Sequence, residues 1–215
     1  MKNQTSPIDD LKHIRQMMEE SSKFLSLSGL SGVAVGTVAL IGAAIAHFHI
    51  LDSGALKYDE YLRVLPGYYN KGIRFSLIFL ALVILAAAIT SAWYISYRKS
   101  RKLHVVFWTP STKNMVFGLL SILVTGGLFC LILIYHGYFR IIASVMLLFY
   151  GIALINASKY SKHDIKTLGY AEIILGLLSA FWLHYGLLFW TVGFGLVHIV
   201  YGIMMYMKYD LKTNE

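Results

Sequence analysis

The sequence has a single cysteine, Cys130, set inside an apolar run. One cysteine excludes an internal disulfide and any CxxC redox or zinc site. Charge is scarce as well: 14% of residues are Asp, Glu, Lys or Arg, against roughly 25% in ordinary soluble domains. Signatures of chemistry are missing too. The chain has no P-loop, GxSxG elbow, dinucleotide fingerprint or kinase set. It has no helix-turn-helix, RNP or zinc-finger pattern. These absences argue against an enzyme, against a resident cofactor and against nucleic acid as a partner.

What fills the sequence instead is apolar. Of 215 residues, 57% are hydrophobic, more than a soluble fold of this size can hide. The lipid bilayer is therefore the expected partner, with a second copy or another membrane protein as a further one. The formal charge of +8 would suggest nucleic acid in a soluble protein. Here the cations sit between apolar runs, so topology explains them.

A bilayer core takes about 20 apolar helical residues. The expected fold is all-α, a polytopic bundle of six transmembrane helices over 24–50, 73–95, 115–135, 139–157, 168–185 and 187–206. The last two spans come from one apolar run, Leu168 to Tyr206. Its length is roughly twice the core thickness, so it must fold back. His184–Tyr185–Gly186 is the expected turn. Fourteen cations lie in the N-terminus, the 96–114 and 157–167 loops and the C-terminus, and five lie on the other side. That bias puts both termini in the cytoplasm. The polar start and the long first run read as a retained helix rather than a cleaved signal.

Residues 1–23 form one expected unit, a cytoplasmic amphipathic helix. Ser6–Pro7 opens it and Ile8, Leu11, Ile14, Met17 and Met18 recur at helical spacing. Residues 24–207 form the membrane domain and 208–215 a cytoplasmic tail. A shorter amphipathic helix is expected in the outer loop, over Leu56–Leu65. A weak internal echo joins "FGLLS" to "LGLLS", "FYGIAL" to "VYGIMM" and "YHG" to "HYG". It suggests two hairpins of similar design.

The stretches "SSKFLSLSGLSGVAVG", "VTGGLFCLILIYHG" and "GLLFWTVGFGLVHIVYGIMMYMKYD" resemble an uncharacterised family of small multi-span bacterial membrane proteins. The likeness covers most of the chain from Ile14 onward. It implies an inner-membrane location and carries over no activity, cofactor or catalytic residue.

Within the spans, small and polar residues are the candidates for packing and function. Ser28, Gly32 and Gly36 fall at four-residue spacing, the small-xxx-small pattern of close helix contact. Glu172 lies about 7 Å inside the cytoplasmic boundary, with Gly176 and Ser179 on its face. A hairpin centred near Gly186 would set it level with Tyr201, with His198 about 4.5 Å further out. Two readings stand: a lock on the hairpin, or a proton or cation relay. In either reading, Glu172→Leu would strand a partner group and destabilise the fold. His47, His49, His136 and His184 end helices on the outer face. They are metal or haem ligands in one reading and interfacial side chains in the other.

Three functions follow. The first is a carrier or gate for a small solute or protons, resting on Glu172, His198, Tyr201 and Ser179. The second is a non-catalytic scaffold or regulatory protein acting through partners. The third is a haem or metal protein using the outer histidines.

Overall fold

The structure is a computed structural model that describes residues 28–51, 67–161 and 165–210. The expected N-terminal amphipathic helix, the outer-loop helix and the end of the tail lie outside these residues. The described chain is all-helical, with no β-strand among the described residues. Six apolar helices follow in order. Helix α1 is Gly29–Ile45, continued by a π-helical turn over Ala46–Ile50. Then come α2 (Gly67–Lys102), α3 (Pro110–Tyr135), α4 (Ile142–Ala157) and α5 (Ile165–Phe181). The last, α6, runs over 186–210 and alternates α and π segments.

Five of these stretches are long and apolar enough to cross a membrane by length and composition: Gly29–Ile50, Phe75–Lys102, Pro110–Tyr135, Phe139–Tyr160 and Leu183–Tyr209. The sixth helix, α5, has 17 residues, about 25 Å of rise against a core of roughly 30 Å. Boundaries differ from the sequence reading at several helix ends. Helix α2 continues to Lys102 rather than ending at Ile95. Helix α3 begins at Pro110 rather than Met115. Helix α5 ends at Phe181, because Trp182 leaves helical geometry at φ −110 and ψ 63. Gly186 therefore opens α6 instead of sitting in the turn.

Local chemistry explains the ends of α3. Thr109 caps it, accepting from the Thr112 N–H at 3.2 Å, with Pro110 at the first helical position. At the other end Gly137 takes φ +83. Its N–H donates to Ile134 O at 3.1 Å and the Tyr138 N–H donates to Leu133 O at 2.8 Å. That is the Schellman closure, and it needs the left-handed conformation glycine tolerates.

Hydroxyls on exposed helix faces return to their own backbone. Thr37, Thr90 and Thr125 donate to Val33, Ala86 and Ser121 carbonyls at 2.8 Å each. In lipid no water would satisfy them, so self-bonding is the stable arrangement.

Glycines set the helix contacts. Helices α4 and α5 meet antiparallel through Gly151 and Gly169. A Cβ on Gly151 would lie 2.6 Å from Gly169 O, and one on Gly169 would lie 2.8 Å from Gly151 O. Each glycine also faces the isoleucine one turn beyond the other, Ile173 and Ile155. Helices α1 and α6 repeat this clasp: Gly36 faces Gly195 and Ile199, and Gly195 faces Leu40. Further along, Gly32 meets Gly202, and Gly29 meets Gly202 and Tyr206. Gly32 and Gly36 thus lie against α6, and Ser28 is buried at the start of α1. The pairing order makes α1 antiparallel to α6. Helix α6 is held between α1 on one side and α4 and α5 on the other.

Candidate functional site

Two buried ionisable side chains meet where α6 packs on α4 and α5. Glu172 is fully buried, 0% exposed, and His198 is 3% exposed. The His198 Nδ1 is 3.3 Å from Glu172 Oε1. That ring nitrogen lies nearer still, 2.9 Å, to the Gly193 carbonyl oxygen. The other ring nitrogen, Nε2, is 2.8 Å from the Tyr150 hydroxyl. A carbonyl only accepts, so Nδ1 carries a hydrogen. Both carboxylate oxygens of Glu172 are buried without a hydrogen bond, Oε1 having only the ion-pair approach to His198.

Two features of α6 make room for this arrangement. Gly193 lies against the carboxylate: a Cβ there would stand 2.6 Å from Glu172 Oε2 and 2.6 Å from Leu147 Cδ2. The segment Thr191–Val197 is π-helical, a local underwinding that concentrates at functional sites. Inside it the His198 backbone N–H turns to Gly195 O, and the Gly193 carbonyl takes the imidazole. An aromatic wall completes the site. Phe194 lies 5.0 Å from the Tyr150 ring and 6.1 Å from the His198 ring, centroid to centroid.

The structure brings together two of the four intramembrane residues singled out in the sequence, Glu172 and His198. Tyr201 packs about one turn away, against the cluster of Leu154, Ile165 and Leu168. The expected level pairing of Glu172 with Tyr201 shifts because α5 ends early, which moves the centre of the hairpin toward Trp182. Ser179 is fully buried on the face of Glu172 and Gly176, but it accepts from Ser144 Oγ of α4 at 3.0 Å. Tyr150 was not a candidate in the sequence. It comes from another hairpin, and no spacing links it to His198.

This geometry also changes one expectation. Both His198 nitrogens are bonded elsewhere, so removing the carboxylate strands no partner. Removing one member of a buried pair is costly where it leaves a charge behind, and a neutral imidazole leaves none. Glu172→Leu is therefore expected to leave the fold intact, against the sequence-based sign.

The outer histidines lie apart from this site. His47 is half-buried and His49 exposed in the π-helical end of α1, while His136 and His184 are exposed. His47 and His136 pack edge-on to their neighbours Phe48 and Tyr135. Among the described residues, no three His, Cys, Asp or Glu side chains are grouped to hold a metal.

Fold and site together define the class: helices that fit a multi-pass membrane protein, with one buried ionisable cluster between helices among the described residues. No protein-family model, no curated protein and no solved structure matches the chain.

Proposed function

We propose that the protein is a six-span carrier or gate in the cell membrane whose transported or coupling species is the proton, bound at Glu172 and His198. The observation that carries this is the fully buried carboxylate without a hydrogen bond, 3.3 Å from an imidazole. A structural carboxylate is normally saturated with donors, because burying an unsatisfied one is costly. Ionisable residues at depth that face the bundle mark ion and proton paths.

The count of six is supported by the antiparallel contact of α1 with α6. Gly29 meets Gly202 and Tyr206, and Gly36 meets Gly195, so the start of the first helix and the end of the last share one side. Only an even number of crossings allows that. The short α5 then counts as a span, packed along its length on α4. The cations at Arg98, Lys99, Arg101 and Lys102 favour the cytoplasm for the shared side.

A test uses purified protein in liposomes loaded with a pH-sensitive dye, under an imposed pH gradient and a potential clamp. Wild type should dissipate the gradient faster than empty liposomes. Glu172→Gln should fold, by its thermal transition, and should lose most of the excess flux. A wild-type rate equal to that of empty liposomes would sink the proposal. In that case the scaffold reading gains, and the apolar window of α2, in which no residue is buried, is the surface to pursue.

A further inference from the structure

Resting on that reading, we infer that Glu172 and His198 form a single site binding one proton, and that the π segment Thr191–Val197 reports whether it is filled. The titratable groups around the carboxylate are few. His198 lies beside it from α6, with Tyr201 about one turn on against Leu154, Ile165 and Leu168, and the Tyr150 hydroxyl of α4 bonds the same imidazole. Over Gly29–Ile45, helix α1, on the far side of α6, has no ionisable side chain; His47 and His49 follow in its π-helical end. On α5, Glu172 is the only ionisable residue between Tyr170 and His184. No fixed cation within this set balances a buried anion.

The pair therefore has one stable loading. A neutral carboxyl beside a neutral imidazole and a carboxylate beside an imidazolium contain the same single proton. Both leave the site uncharged. Losing that proton leaves a lone buried anion, and gaining another leaves a lone buried cation. Each is penalised in low dielectric, and the proton belongs to the pair rather than to either residue. A bare proton also suits the space. The Gly193 side of the carboxylate is in contact, since even a Cβ would stand 2.6 Å from both Oε2 and Leu147 Cδ2. A sodium ion would need several oxygen ligands around it, and a proton needs none.

The same imidazole ties the site to the helix. With the site filled, Nδ1–H is held by the Gly193 carbonyl at 2.9 Å. Release sends the proton from the pair to water and leaves a carboxylate 3.3 Å from Nδ1. A charged acceptor makes the stronger bond, so Nδ1–H transfers its hydrogen bond to Glu172. The Gly193 carbonyl is then open to its α-helical donor, the Val197 N–H. Closing that bond removes the π turn and rotates the flanking segment by about 100°. The non-α turn Leu183–Tyr185 takes up the released residue. Gly195, inside the π segment, is clasped to Gly36 of α1, so the rotation breaks that contact and moves the outer half of α6 against α1.

The test places spin labels at Phe48 and Leu188, both exposed, in a Cys130→Ala background in proteoliposomes. In wild type the label distance should change between acidic and alkaline pH. In Glu172→Gln, whose side chain stays neutral, the acidic distance should persist at all pH values. Infrared difference spectra should show one protonated-carboxyl band lost over the same pH range in wild type and absent from the variant. An unchanged wild-type distance would overturn the switch even if proton flux is present. A distance that responds to sodium at fixed pH would overturn the proton as ligand. Absence of proton flux together with an intact distance change would overturn the transport reading and leave the one-proton switch standing.

Discussion

Helices α2 and α5 are both apolar, yet their surroundings in the fold are opposite. None of the apolar window of α2 is buried, against 39% in α4, the helix that clasps α5. Helix α2 presents Phe75, Phe79, Leu82, Ile89 and Trp93 outward and turns its Thr90 hydroxyl back on itself. Helix α5 buries Gly169, Glu172, Gly176 and Ser179 along one face. In lipid, hydrophobicity does not sort inside from outside, because both are apolar. Small size and polarity do. The helix with glycine, serine and a carboxylate on one face goes to the centre, and the helix whose exposed face carries Phe75, Phe79, Leu82 and Trp93 goes to the rim.

The hardest way to break this contrast is to place bulk on the buried glycines. Gly169→Leu would drive a side chain into Gly151 O and Ile155, where backbone must move. We expect a loss of about 3 kcal/mol or more, seen as aggregation or a sharply lowered thermal transition in detergent. Ala86→Leu on the exposed surface of α2 should stay within about 0.5 kcal/mol of wild type. Equal losses at the two positions would show that α2 is as tightly packed as α5.

A smaller effect is expected from single hydroxyls. Tyr150→Phe removes the partner of His198 Nε2 and should cost about 1–2 kcal/mol. Thr90→Val on α2 removes a bond made only to its own helix, and its cost should be near zero. Thermal unfolding of the two variants in one detergent compares them. Loss at Thr90 and none at Tyr150 would reverse the assignment of inside and outside.

Much of this was legible in the sequence, for identifiable reasons. Apolar run lengths gave the helices, and the i, i+4, i+7 spacing of Glu172, Gly176 and Ser179 put them on one buried face. The small residues of α1 read as a packing face, and Gly32 and Gly36 do touch α6. The clasp at Gly151 and Gly169 was invisible. Each is an isolated glycine followed four positions later by isoleucine, and the glycine pair forms only across two helices. The end of α5 was missed because Trp182 carries no turn signal, whereas Gly186 does. The π segment left no periodic trace, since seven residues of altered winding are too few to shift an apolar pattern. Tyr150 needed the third dimension.

The smallest difference is also the sharpest, because it separates two adjacent residues of one helix. Gly126 and Gly127 look equivalent in the sequence. In the fold, a Cβ on Gly126 would stand 2.6 Å from the Phe149 ring of α4, while one on Gly127 would meet nothing within 4 Å. Alanine at Gly127 adds a methyl to open surface and removes the helix penalty of glycine, so it should stabilise by up to about 1 kcal/mol. Alanine at Gly126 brings the same propensity gain but must push Phe149 aside. Overpacking of this kind costs about 1–3 kcal/mol, reduced here because a ring can turn where backbone cannot. The net should be a loss of roughly 1 kcal/mol. The two variants should therefore shift the thermal transition in opposite directions. Shifts of the same sign would mean that the contact between α3 and α4 does not run through Gly126, and that α3 stands at the rim as freely as α2.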